Sequence, residues 1–197
     1  VLLGDAREIL LASHDRYDLV ASEPSNPYRA GVASLFTREY YQAIADRLTE
    51  DGLFLQWLQA YAIDTPTTRT VYATLGSVFP EVETWETIYG DLLLIGTRRA
   101  RPFDLKRLAN QIAEEPYRSA IHNTWRALDL HGVLAHYVGG TALARALPPL
   151  AQAVINTDDR NSVEFGLARS IGRTNLVATD LRTVALQSGA ARPQVDH

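Results

Sequence analysis

The chain has no cysteine and no methionine. Without cysteine, disulfides and thiolate metal sites are excluded, and the lack fits a reducing compartment. No apolar run approaches the ~20 residues that a bilayer-spanning helix needs, and no signal-peptide pattern is present. The expectation is a soluble, cytoplasmic chain. A net charge of −4 argues against a general nucleic-acid binder, whose affinity comes from clustered Lys and Arg. The histidines lack ligand spacing, since His131 and His136 would not share a helix face. No serine sits in a nucleophile elbow, and there is no repeat or low-complexity segment. The opening Val1-Leu2-Leu3-Gly4-Asp5 reads like the interior of a buried strand. With no methionine anywhere, it is expected to be a piece of something longer.

What is present is ample core material. The 197 residues are 46% hydrophobic and 21% charged, enough for one large domain or a domain with an appendage. After Gly4-Asp5 the pattern turns helical, with Ile9 and Leu10 on one side. Residues 17–22 form the next strand. Thr37 is expected to cap a helix with inner face Tyr41, Ile44, Ala45 and Leu48. Asp51-Gly52 reads as a turn into a buried strand from Leu53 to Trp57. Thr65 and Pro66 read as cap and first residue of a helix with stripe Val71, Leu75 and Val78. Val82 to Glu86 and Leu92 to Ile95 form an antiparallel pair across Tyr89-Gly90-Asp91. This order predicts an α/β fold, a parallel sheet with an antiparallel edge, over residues 1–97.

Composition changes at the basic, turn-forming joint Arg98-Arg99-Ala100-Arg101-Pro102. Residues 98–197 are expected to be a helical appendage with a polar NTDDR loop at 156–160. Leu105, Leu108 and Ile112, and later Leu130, Val133, Leu134 and Tyr137, recur at helical spacing. Gly139-Gly140 and Pro148-Pro149 separate short helices, and residues 177–187 suit a last amphipathic helix. The tail after Gly189 is expected to fray.

The most informative stretch is Glu23-Pro24-Ser25-Asn26-Pro27, where the strand at 17–22 stops. Two prolines in four residues forbid both a helix and a continuing ladder. A carboxylate and a carboxamide thus sit on a stiff loop beyond a strand's carboxyl end, where open α/β sheets bind ligands. The competing reading is an ordinary Pro- and Asn-rich surface turn.

GDAR at 4–7, YDLVASEPSNP at 17–27, SLFTREYY at 34–41, GLFLQW at 52–57 and GDLLLIG at 90–96 follow one another in order. Together they resemble the second half of the spermidine synthase-like aminopropyltransferases, which share the Rossmann-like class I S-adenosylmethionine-dependent methyltransferase fold. The chain is most similar to the fused bacterial version, in which such a domain follows a membrane-embedded region. The resemblance implies a truncated sheet of that fold followed by a small helical region. It also implies an aminopropyl group moved from decarboxylated S-adenosylmethionine to a small-molecule amine, with no metal, in a homodimer and the cytoplasmic part of a membrane protein.

In this family the loop reads Asp-Ser-Ser-Asp-Pro; its first Asp deprotonates the attacking amine and its second helps bind it. Glu23 falls on the first and can still act as base. Asn26 falls on the second and supplies no charge, a loss of about 1–4 kcal/mol beside an ammonium. Asp5 and Ala6 match the pair contacting the cofactor adenine, although Asp5 equally suits a helix cap. Gln56 matches a glutamine beside the acceptor. Tyr89 falls on an aromatic near the acceptor, though packing is its favoured role. Asp158, Asp159 and Glu164 either wall the acceptor site or, from Asn156 to Asp159, form a solvated helix cap. Asp158 and Asp159 lack the further oxygen ligands a metal needs.

The family's glycine-rich loop and ribose-binding acidic residue are not found in this sequence. The 197-residue chain alone is therefore expected to bind S-adenosylmethionine-type cofactors only at millimolar concentration or weaker. Micromolar binding would contradict that. Two alternatives stand beside the aminopropyltransferase: a methyltransferase of the same fold using S-adenosylmethionine, and a non-catalytic regulatory domain of a membrane protein.

Overall fold

The computed structural model describes residues 3–25, 31–88, 90–147, 154–166 and 177–196. A five-stranded sheet runs in the order β1-β2-β4-β3-β5. The strands are β1 (Tyr17–Ser22), β2 (Leu48–Gln59), β3 (Glu81–Glu86), β4 (Asp91–Thr97) and β5 (Tyr137–Gly139). β1 and β2 are parallel, and each of the remaining pairings is antiparallel. The antiparallel part is thus larger than the single edge expected from sequence. The mixed α/β character is as expected.

Local signals explain most elements. Helix α1 (Ala6–Ala12) starts where Asp5 accepts from the Arg7 and Glu8 N–H groups. Thr37 caps α2 (Arg38–Arg47) through the Tyr40 N–H, and the inner face Tyr41, Ile44 and Ala45 is buried. Helix α3 (Thr65–Gly76) buries Val71 and Leu75. Its cap is Asp64, which accepts from the Thr67 N–H at 2.8 Å. The start is therefore one residue earlier than Thr65, because a carboxylate caps at least as well as a threonine.

Helices α2 and α3 pack on one face of the sheet, with α7 (Thr141–Ala146) and α8 (Val177–Gln187). The core there joins Tyr41, Ile44, Phe54, Leu58, Phe79 and Leu94. Helices α4 (Leu105–Ala113), α5 (Tyr117–Trp125) and α6 (Leu130–Leu134) form a second cluster around Trp85, Ile112, Val133 and Tyr137. On that opposite face Trp85 stacks on Trp125 and meets Tyr137 edge-on.

Several expectations are corrected. Val1 and Leu2 lie outside the described residues, and Leu3 is 95% exposed rather than in a buried strand. Asp51-Gly52 is no turn between elements: β2 runs through it, with the register against β1 shifting between Tyr17 and Leu19. Gly52 fits this crowding, since a Cβ there would meet the Tyr17 carbonyl at 3.0 Å. Asp91 opens β4 rather than closing the turn. Tyr137, read as helical, lies in β5 beside β3. Pro148 and Pro149 lie outside the described residues. The tail does not fray, because Phe103 pairs with Val195 and is hydrogen-bonded to Gln194 and Asp196. The corrections at Gly52, Tyr137 and the tail arise from partners distant in sequence, which periodicity does not report.

Candidate functional site

The carboxyl ends of β1 and β2 make the mouth of the sheet. Ser22 ends β1 opposite Gln56 on β2, and Gln56 lies opposite Leu94 on β4. Glu23 follows Ser22 directly and is exposed, while Pro24 behind it is buried. The strand stops here because Pro24 offers no N–H for a ladder. Asn26 and Tyr89, both expected to contact the acceptor, lie outside the described residues.

Ser22 and Gln56 share the sheet face that α2 covers. The Tyr40 hydroxyl donates to Ser22 Oγ at 3.4 Å, and burial raises the Tyr40 phenol above its ordinary range. Gln56 is 0% exposed. Its Nε2 donates to the Trp57 carbonyl at 3.0 Å, whereas its buried Oε1 has no partner among the described residues. An unpaired buried acceptor is costly, which accords with a polar side chain kept for a donor from outside.

The amino end of α1 stands close by, and the charge of Asp5 is felt at the Tyr40 hydroxyl. Asp5 spends Oδ1 on the helix cap. A carboxylate has about four acceptor sites, so capping and a second contact are compatible. Ala6, the first residue of α1, is exposed.

The NTDDR loop reaches the same end of the sheet through Arg7. Its Nη1 donates to Asp158 Oδ1 at 2.9 Å and to the Ser34 carbonyl at 3.2 Å. Its Nη2 pairs with Asp158 Oδ2. The Arg7 guanidinium holds the Asp158 carboxyl below the usual carboxylate range. The Asp158 N–H donates to Glu39 at 3.1 Å. Asp159 is exposed and Glu164 half-buried.

Asn156 is fully buried, not part of a solvated cap. Its Nδ2 donates to the Phe36 carbonyl and to Asn161 Oδ1, and its Oδ1 accepts from the Val163 N–H. Its carbonyl accepts from the Arg38 N–H at the start of α2. Asn156 therefore fastens the loop to the body while Asp158 faces Arg7. Arg7 has no role in the sequence reading beyond its place in GDAR, because its partner Asp158 lies 151 positions along the chain.

Among the described residues no three His, Asp or Glu side chains converge as metal ligands. Among the same residues no helix is long and apolar enough to cross a membrane.

Comparison with known proteins adds three findings. The family model described as spermine/spermidine synthase domain matches residues 1–89. A polyamine aminopropyltransferase from Caldicellulosiruptor saccharolyticus is 28% identical over 80 residues, covering 41% of this chain and 28% of that relative. A polyamine aminopropyltransferase from Desulforudis audaxviator is 26% identical over 85 residues, covering 43% of this chain and 30% of that relative. The chain thus spans less than a third of the length of the curated relatives it matches.

Proposed function

We propose that this chain, whose residues 1–89 match the spermine/spermidine synthase domain model, carries the acceptor side of an aminopropyl-transfer site. The observation that carries the reading is Glu23, an exposed carboxylate directly after the parallel strand β1. It stands one residue past the rung that holds the buried, half-satisfied Gln56.

In this reading Glu23 accepts the proton that the attacking amine loses as its lone pair bonds carbon. The carbon–sulfur bond breaks, and its electron pair returns to sulfur, turning a sulfonium into a neutral thioether. Decarboxylated S-adenosylmethionine supplies that sulfonium-activated aminopropyl group. Gln56, Asn26 and Tyr89 contact the acceptor. Asp5 and Ala6 contact the adenine, and the unspent lone pairs of the Asp5 carboxylate support that role. Asp158 and Asp159 border the acceptor side, with Arg7 holding Asp158 in place.

The test incubates the full-length protein separately with decarboxylated and intact S-adenosylmethionine, plus a panel of amines. Aminopropylated product from the wild type, reduced about 100-fold or more in Glu23→Gln, is the expected result. Product only from the intact cofactor would replace the reading with methyl transfer. Turnover unaffected by Glu23→Gln would remove Glu23 as base.

A further inference from the structure

The reverse face of the sheet, covered by α4 to α6, carries charges that the fold does not pair. Glu81, Glu83 and Trp85 alternate onto this face along β3, opposite Thr97, Ile95 and Leu93 of β4. Gln56 points to the other face, and the rungs of Glu83 and Glu81 run away from the sheet mouth. A cavity of about 260 Å³ opens here, with Glu81, Glu83, Tyr137, Arg101, Arg145 and Arg192 in its lining.

None of the three arginines forms an ion pair with either carboxylate or with another described residue. Arg101 donates to the Asp51 carbonyl at 2.8 Å and Arg145 to the Pro80 carbonyl at 3.4 Å. Glu83 accepts from the Trp85 indole N–H at 3.4 Å, and Glu81 from the Thr141 hydroxyl at 2.5 Å. Tyr137 is only 6% exposed, yet its hydroxyl has no hydrogen-bond partner among the described residues. That hydroxyl stands where a Cβ on Gly140 would meet it at 2.8 Å, and it feels the Glu83 charge. A buried tyrosine hydroxyl usually finds a partner; this one is left for a partner in the cavity.

A second cavity, of about 490 Å³, adjoins the first, since Glu83, Thr97 and Arg101 line both. Leu53, Trp85, Ile95, Phe103 and Leu108 give it an apolar wall, and its size lies within the roughly 300–1,000 Å³ of small-molecule sites. A simple anion here would meet Glu81 and Glu83, and a simple cation or a diamine would meet three guanidiniums; like charges repel. A zwitterion satisfies both sets. Glu83 and Arg101 both stand where the cavities join, so the ligand's two charges belong close together at one end. Its apolar remainder then runs into the larger cavity. An α-amino acid has that shape.

We propose that this cleft binds a free α-amino acid with a large apolar side chain. The ammonium donates to Glu83 and to the Tyr137 hydroxyl, and the carboxylate accepts from Arg101 and Arg192. The side chain lies against Phe103 and Leu108. β3 is three strands over from β1, about 14 Å at ordinary strand spacing, and the cleft is on the face away from Gln56. The binding site is therefore separate from the aminopropyl-transfer site and does not depend on that reading.

The test titrates L-phenylalanine, L-leucine, phenethylamine and 3-phenylpropanoate calorimetrically into the full-length protein, with thermal melts alongside. Both amino acids should bind and raise the Tm. Phenethylamine and 3-phenylpropanoate each lack one of the two charges and should bind about tenfold or more weakly than L-phenylalanine. Glu83→Gln should raise the Kd for L-phenylalanine about tenfold or more, and the more exposed Arg192→Gln about threefold or more. No amino-acid binding up to about 10 mM would overturn the site. So would either analogue binding as tightly as L-phenylalanine, or a Kd unmoved in either folded variant. Should the melts show Glu83→Gln unfolded, Arg192→Gln and the two analogues decide the matter.

Discussion

Arg7 and Asp158, 151 positions apart, form a two-pronged ion pair that holds the NTDDR loop against the start of α1. The Asp158 side chain is 40% exposed and that of Arg7 18%, so solvent screens the pair and its contribution is modest.

Asp158→Asn should therefore cost only about 0.5–1 kcal/mol near neutral pH. The sign of its pH dependence follows from the lowered carboxyl of Asp158 in the folded chain. The contribution is present above the unfolded carboxylate range and disappears as pH falls through the folded one. Urea melts of wild type and variant should differ at about pH 7 and draw together as pH falls below the ordinary carboxylate range near ~4. Curves that stay equally separated in acid would mean the pair's charge is not what the variant removes.

Asn156 is a costlier position. Its side chain joins the Phe36 carbonyl, Asn161 and the Val163 N–H in a fully buried site. Asn156→Ala leaves those groups unpaired and should destabilise by about 2–4 kcal/mol. Asn156→Asp keeps the acceptor but turns a carboxylate toward two oxygens, and should be worse near neutrality than in acid. An Asn156→Ala protein that melts within about 0.5 kcal/mol of wild type would show that the loop is not fastened there.

Gly96 is where β4 passes closest to the core. A Cβ at that position would lie 2.7 Å from Cγ of Phe79. That ring is itself fully buried and stacked on Phe54 at 5.6 Å. Gly96→Ala should cost about 1–3 kcal/mol through overpacking, read by guanidinium denaturation. Gly76→Ala, which meets nothing within 4 Å, should be tolerated and serves as the comparison.

Glu83 titrates in the opposite sense from Asp158. Burial raises its carboxyl above the usual range; the Trp85 indole N–H at 3.4 Å pulls against that, and nearby Glu81 adds to it. The folded chain then binds the Glu83 proton more tightly than the unfolded chain, so its contribution is present in acid. It is lost as pH rises through the folded carboxyl's range. Glu83→Gln keeps an acceptor for Trp85 and removes the charge. Its Tm should exceed that of wild type at about pH 7, with the gap closing below about pH 4. A lower Tm for the variant at neutral pH would reverse this assignment.

Much of the fold is written in short-range pattern. The β1 stop at Pro24, the Thr37 cap, the stripe of α3, the β3–β4 hairpin and the span of α8 all follow from residues within a turn or two of each other. The position of Glu23 was legible for the same reason: a proline cannot extend a ladder, so the carboxylate before it must stand at the strand's end. Where reading failed, the deciding partner lay far along the chain. Tyr137 has helical spacing to Val133 and Leu134, yet it goes into β5 because the edge of β3 offers unpaired backbone groups. The tail after Gly189 carries no pattern, yet Phe103 hydrogen-bonds it in place. Asp91 looks like a turn residue until β2 is laid beside β4 and Gln59 comes opposite it. Sequence by itself determined most of the helices and strands and which carboxylate ends β1, because propensity, capping and proline sterics act locally. Tertiary structure alone decided which polar atoms are buried without partners and which charges meet, because both depend on what the folded chain brings near and shuts away from water.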